Sequence, residues 1–139
     1  MPFLTRLFIK TSLVYLLLAL LASWLLSAQT AGFVPVWLLG LFPVTVHLFV
    51  LGWVTQLIFG IVYWMFPKYT QEKPRGSAAL AWITYVTLNL GLVLRTAGEP
   101  LNAARPAALS GWLLAVSALL LWLSGAVFVA NTWQRVRER

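Results

Sequence analysis

TVHLFVLGWVTQLIFGIVYWMFP, residues 45–67, decides how this chain is read. It holds the single histidine of the sequence, His47, inside an apolar run long enough to cross a bilayer, and it ends at a proline. An ionisable side chain inside such a run is costly, so His47 calls for a named partner or a function. On an idealised helical wheel Thr45, Gly52, Gln56, Gly60 and Tyr63 fall within a sector of roughly 80°. His47 falls almost opposite, with Leu51, Val54, Ile58 and Met65. The glycine and glutamine face is therefore the one expected to pack inside a bundle. His47 is expected to face a separate cleft or a second protomer.

The rest of the chain has the same character. Of 139 residues 61% are hydrophobic and 9% charged, against about 25% charged in soluble domains. Four apolar segments are expected to span the membrane, at about 11–28, 43–66, 78–95 and 108–132, giving one all-α, integral membrane four-helix bundle over residues 1–139. Arg6 and Lys10 before the first segment resemble the start of a signal peptide. The apolar run that follows exceeds a signal core of about 7–15 residues, so a retained helix is expected. Ala19, Ser23 and Ser27 form a small-residue stripe suited to close helix contact.

The second segment is apolar from Trp37 to Phe66, longer than the ~20 residues a span needs. Pro43 is expected in its first turn, with residues 37–42 at the interface. Gly98, Pro100 and Pro106 are read as breakers of a loop that begins after Arg95. In the last segment Ser110, Ser117, Ser124 and Asn131 are spaced by seven, a seam for helix packing. Trp37, Trp64, Trp112 and Trp133 stand near segment ends, as an aromatic belt would place them.

Charge sets the orientation. Eight of the ten basic residues lie in the N-terminus, the 67–77 loop and the C-terminal tail, and only Arg95 and Arg105 lie in the other loops. By the positive-inside rule both termini are expected in the cytoplasm, in a prokaryotic inner membrane. The net charge of +7 is thus orientation signal, and no nucleic-acid partner is implied; the partner it implies is the lipid bilayer.

Chemistry has few candidates. There is no cysteine, which excludes disulfides and thiolate sites. The three acidic residues, Glu72, Glu99 and Glu138, are read as loop or tail residues, so a hydrolytic triad lacks its buried acid. One histidine cannot build a zinc site, which takes three or four ligands. Two readings of His47 stay open on the residues alone. It is an uncharged imidazole hydrogen-bonded to a neighbouring helix or to interfacial water, or it ligates a metal or haem iron. Haem suits the chain better than a bare ion, because one histidine fills one axial position while apolar walls hold the porphyrin. Arg95 and Arg105, on the His47 side, are the cations available for propionates; Arg95 reads equally well as a snorkelling residue.

The run from His47 to Pro67 resembles the second helix of the haem–copper oxidase and nitric-oxide reductase catalytic subunit, and most of all short four-span proteins labelled subunit I-like. The opening RLFIKTSLVYL and the closing FVANTW are similar in style to flanking helices of those proteins. The resemblance implies haem b with His47 as axial ligand, and a role in electron transfer or diatomic-gas binding. Many relatives carry a histidine two residues earlier, where this chain has Thr45. The copper-site histidines and the second axial ligand of the full subunit have no counterpart here, so a complete oxidase or reductase is not implied. A homodimer gripping haem through both copies of His47, a five-coordinate haem and a respiratory-chain redox partner are the arrangements left. The alternative is a cofactor-free accessory or assembly subunit of a respiratory complex.

Overall fold

A computed structural model describes residues 1–32, 40–67, 71 and 75–136. The proposed anchor Trp37, Glu72 and the basic residues Lys68, Lys73, Arg137 and Arg139 lie outside these. The described residues form four long helices and no strand: α1 Phe3–Thr30, α2 Leu41–Met65, α3 Ala78–Ala104 and α4 Ala108–Thr132, followed by a 3₁₀ turn, Trp133–Arg135. All four are long and apolar enough to cross a membrane. The chain is a multi-pass integral membrane protein, and most of its large apolar side chains face outward as lipid contact requires.

Three helix boundaries have a clear local cause. Ser77 caps α3, its hydroxyl accepting from the Leu80 N–H at 3.4 Å. Pro67 stops α2 by holding Phe66 in an extended conformation, ψ 151°. Pro43 sits in the first turn of α2, where no intrahelical partner for its missing N–H is needed.

The buried positions show how the helices meet. On α1 they are Leu4 and Thr5, then Phe8, Ser12, Tyr15, Ala19 and Ala22, alternating by three and four from Thr5 onward as in a coiled-coil seam. The expected stripe of Ala19, Ser23 and Ser27 does not form a contact: Ala19 is buried, but Ser23 and Ser27 are exposed. The seam lies one step round the helix, where Phe8 and Tyr15 lie against two glycines of α2.

On α2 the buried positions are Gly40, Val44, Leu48, Gly52, Gln56 and Gly60, then Tyr63. A run of fours cannot stay on one face of an ideal α-helix, because each step adds about 40°. The backbone resolves this by widening. Residues Leu48–Thr55 form a π-helix, in which the hydrogen bonds reach back five residues instead of four. One absorbed residue turns everything before it by about 100° relative to everything after it. Gly52, Gln56, Gly60 and Tyr63 pack inward as expected. Val44 and Leu48, at 2% and 3% exposure, replace Thr45 on that face. His47 is carried from the far side to the flank beside α3. That corrects the placement opposite the packing face.

Helices α3 and α4 form the most extensive pair, through the seven-residue seam. The Ser117 hydroxyl donates to the Gly91 carbonyl at 2.7 Å and that of Ser124 to the Thr84 carbonyl at 2.9 Å. Asn131 closes the end, accepting from the Ser77 N–H at 2.8 Å and donating to its carbonyl at 3.2 Å. Gly111 and Gly125 take no part; nothing lies near where a side chain would be. Between α1 and α3, Tyr15 donates to Asn89 Oδ1 at 2.9 Å. Phe59 of α2 stacks on Phe128 of α4 at 3.8 Å.

Arg135 departs most from its expected place in a solvated tail. It is 1% exposed and folds onto the carboxyl end of α2. Its guanidinium donates to the carbonyls of Phe66 at 2.8 Å, Pro67 at 3.1 Å and Tyr63 at 3.4 Å, and lies 5.9 Å from the Phe66 ring centroid. These carbonyls have no intrahelical donor, so a cation at this end satisfies both them and the helix dipole.

Two outcomes follow. Arg135→Leu strands the α2 carbonyls and is expected to lower stability by about 2 kcal/mol or more, with Arg135→Lys losing less, read from thermal unfolding in detergent. Gly52→Ala places a methyl 2.8 Å from Tyr15 Cγ and 2.9 Å from its Cβ, and is expected to cost about 1–3 kcal/mol. A neutral Gly52→Ala melt would show that α1 and α2 can separate at no cost.

Candidate functional site

The third helix does not stop at Arg95. Its buried face continues through Gly98 and Glu99 to a helix end at Ala104, with Pro100 inside the helix. The loop reading of residues 96–105, and of Gly98 and Pro100 as its breakers, is thus overturned. Inside apolar helices, neighbouring groups compensate for the donor a proline lacks, and the first break falls at Arg105–Pro106. Glu99 is accordingly a buried helical carboxylate, 8% exposed, and not a loop residue.

Glu99 meets His47. Arg95, one turn earlier on α3, donates from Nε to Glu99 Oε1 at 2.9 Å, the i, i+4 geometry of a helical ion pair. His47 Nδ1 lies 3.3 Å from the same oxygen and 2.7 Å from the Pro43 carbonyl. Both partners are acceptors, so Nδ1 carries the proton, the tautomer being assigned from these partners. The main bond is to Pro43, and Glu99 adds a longer second contact. Nε2 makes no hydrogen bond among the described residues. The imidazole is 27% exposed and the Arg95 side chain 22%. With a neutral imidazole the cluster is one cation and one anion, which avoids a net buried charge.

Backbone proximity makes the meeting possible. At Gly40 an added Cβ would lie 2.8 Å from Ala103 Cβ, 2.9 Å from Pro100 Cα and 3.3 Å from the Glu99 carbonyl. Only a residue without a side chain lets the start of α2 approach α3 this closely. Beside that contact a cleft of about 420 Å³ is lined by Gly40, Pro43, Glu99, Asn102, Ala103 and Leu114. Asn102 is held at its rim, its Oδ1 accepting from the Ser110 hydroxyl at 2.9 Å. Glu99 Oε2, fully enclosed, has no hydrogen-bond partner.

Of the three residues singled out from sequence, the structure brings His47 and Arg95 together around Glu99. Arg105 stands apart and exposed, in extended backbone at the end of α3. Sequence reasoning missed Glu99 because glycine and proline on either side of it read as a loop. The signal that finds it is the spacing Arg95-x-x-x-Glu99, a helical ion pair written across the supposed boundary. Among the described residues no three histidine, aspartate or glutamate side chains gather as a metal site.

The chain was compared with protein-family models, curated proteins and solved structures, and none of them matches.

The ion pair has a measurable consequence. A double-mutant cycle with Arg95→Leu and Glu99→Gln is expected to give a coupling of about 1–3 kcal/mol in favour of the pair, by thermal or denaturant unfolding in micelles. Additive effects would mean that Arg95 is merely snorkelling.

Proposed function

We propose that the chain is a membrane haem-binding protein in which His47 supplies one axial nitrogen. The observation that carries this reading is the state of the imidazole. Its Nδ1–H is committed to the Pro43 carbonyl and the Glu99 carboxylate, which leaves Nε2 as a lone-pair donor on a half-buried ring. Metal-bound histidines are held in this way, with the second nitrogen donating to a carbonyl or carboxylate that fixes the ring and raises its basicity. The donor set fits one axial position. Bound haem b supplies one-electron chemistry or, with an open sixth position, a site for a diatomic gas. The chain's own residues orient the ligand: Pro43 and Glu99 hold the ring, and Gly40 holds α2 against α3. Arg95 keeps its terminal guanidinium nitrogens for a propionate, and Arg105 offers a second cation on the same side.

The chain holds no second histidine. Met65 stands at the far end of α2, 18 residues on. A sixth ligand, where one is needed, comes from His47 of a second copy or from a respiratory-chain partner. The charge bias supports cytoplasmic termini in a prokaryotic inner membrane, with His47 toward the opposite face.

One observation favours a second reading. The His47–Glu99–Arg95 cluster is charge-balanced without any cofactor, as a latch between α2 and α3 would be in an accessory or assembly subunit. A spectrum separates the two. Protein purified from haem-replete cells is expected to show a Soret band that His47→Ala abolishes, and colourless wild-type protein would overturn the haem reading. Arg95→Leu is expected to weaken haem retention more than Arg75→Leu, at the opposite end of the bundle. A low-spin spectrum unresponsive to carbon monoxide would indicate two axial ligands.

A further inference from the structure

We propose that the cleft beside Glu99 binds the hydroxyl head of a neutral amphiphile that enters from the bilayer. The proposal does not rest on haem, since His47 is not part of the cleft lining. It starts from the one carboxylate oxygen that the fold leaves unanswered. Glu99 Oε1 serves Arg95 and His47, whereas Oε2 is enclosed and unpartnered, on a residue that is 8% exposed and lines the cleft. A buried acceptor without a donor costs on the order of 1–3 kcal/mol, more when charged. A ligand that brings a donor recovers that energy once the carboxylate turns Oε2 toward the cleft.

Asn102 specifies the donor further. It lies three residues after Glu99, on the same face of α3, and also lines the cleft. Its Oδ1 accepts from Ser110, and its amide nitrogen is a donor with no partner among the described residues. A carboxylate acceptor and an amide donor side by side match a hydroxyl group, which gives one hydrogen bond and accepts another. Charge argues against the alternatives. An ammonium head would put a second cation beside Arg95 around a single carboxylate, and an anionic head would face Glu99 directly. In apolar surroundings either leaves a net buried charge. A neutral hydroxyl adds none.

The remaining walls set the body of the ligand. Gly40, Pro43, Ala103 and Leu114 offer no other polar side chain, and the helices that carry them expose Phe42, Leu101 and Leu109 to the surroundings. A volume of about 420 Å³ falls in the range of small-molecule sites. It holds a hydroxyl head and the first part of an apolar tail, the rest lying in the bilayer.

Para-octylphenol, its methyl ether para-octylanisole and decanol serve as probes, with the full chain in maltoside micelles and binding read by native mass spectrometry and thermal shift. The phenol is expected to bind one per chain and the ether about tenfold or more weakly, the factor for a lost hydrogen bond to a charged acceptor. Decanol binding as well as the phenol marks an aliphatic alcohol as the natural head, and phenol-only binding an aromatic one. Leu114→Trp fills the cleft while keeping the Glu99 carboxylate, and is expected to abolish binding while helicity persists. Glu99→Gln is expected to reduce the difference between phenol and ether. Equal binding of phenol and ether to the wild type would overturn the proposal as mere apolar partition. Binding that survives in a folded Leu114→Trp would place the ligand elsewhere and overturn the proposal, as would no binding by any probe.

Discussion

Apolar helices surrounded by lipid gain little from touching one another through their hydrocarbon alone, because lipid tails are equally apolar. What distinguishes one contact from another is where the polar groups find partners, and each of the four helices is tied in by such a group. The serines of α4 reach the carbonyls of α3, Tyr15 of α1 reaches Asn89 of α3, and Arg135 gathers three carbonyls at the end of α2. Glu99 ties α3 to α2 through His47. Each removes a group that hydrocarbon would leave stranded, so together they define the arrangement more sharply than the apolar core does.

The two ends of the bundle use this constraint differently. At the end holding Arg6, Arg75 and Arg135, cations are abundant and one of them is spent on closing a helix. At the other end His47, Arg95 and Glu99 gather within reach of α2's first turns, and Arg105 stands apart. There the close approach at Gly40, the widened turn of α2 and the proline in α3 all serve one arrangement: a carboxylate, an imidazole and a guanidinium sharing an oxygen. π-helical turns are found often at functional sites, and here the turn has a definite effect on His47. Without it, the imidazole would lie on the far side of α2 from Glu99.

Helix by helix, the sequence was legible where periodicity and charge spoke together. Composition alone makes the chain a membrane protein of apolar helices, and the spacing of Ser110, Ser117, Ser124 and Asn131 marks a packing seam on α4, which the structure pairs with α3. Gly52, Gln56 and Gly60 likewise declare a packing face. Reading failed where a local signal met a tertiary demand. The sequence Gly98-Glu99-Pro100 looks like a turn, yet packing against Gly40 and α4 keeps it helical. Arg135 looks like part of a solvated tail, yet the bare carbonyls of a distant helix end draw it inside.

The chain's own patterns establish the number and kind of elements, the packing seam on the last of them, and the presence of one histidine that needs a partner. Those follow from patterns within single helices, where the period of 3.6 and the cost of polar atoms in hydrocarbon leave few choices. Which way His47 faces, and that Glu99 is its neighbour, depend on how the helices pack. A helical wheel assumes a constant twist, and the eight-residue π segment breaks that assumption. The widening is set by fitting Gly40, Val44, Leu48 and Gly52 to the same neighbours, a condition that no stretch of α2 carries alone.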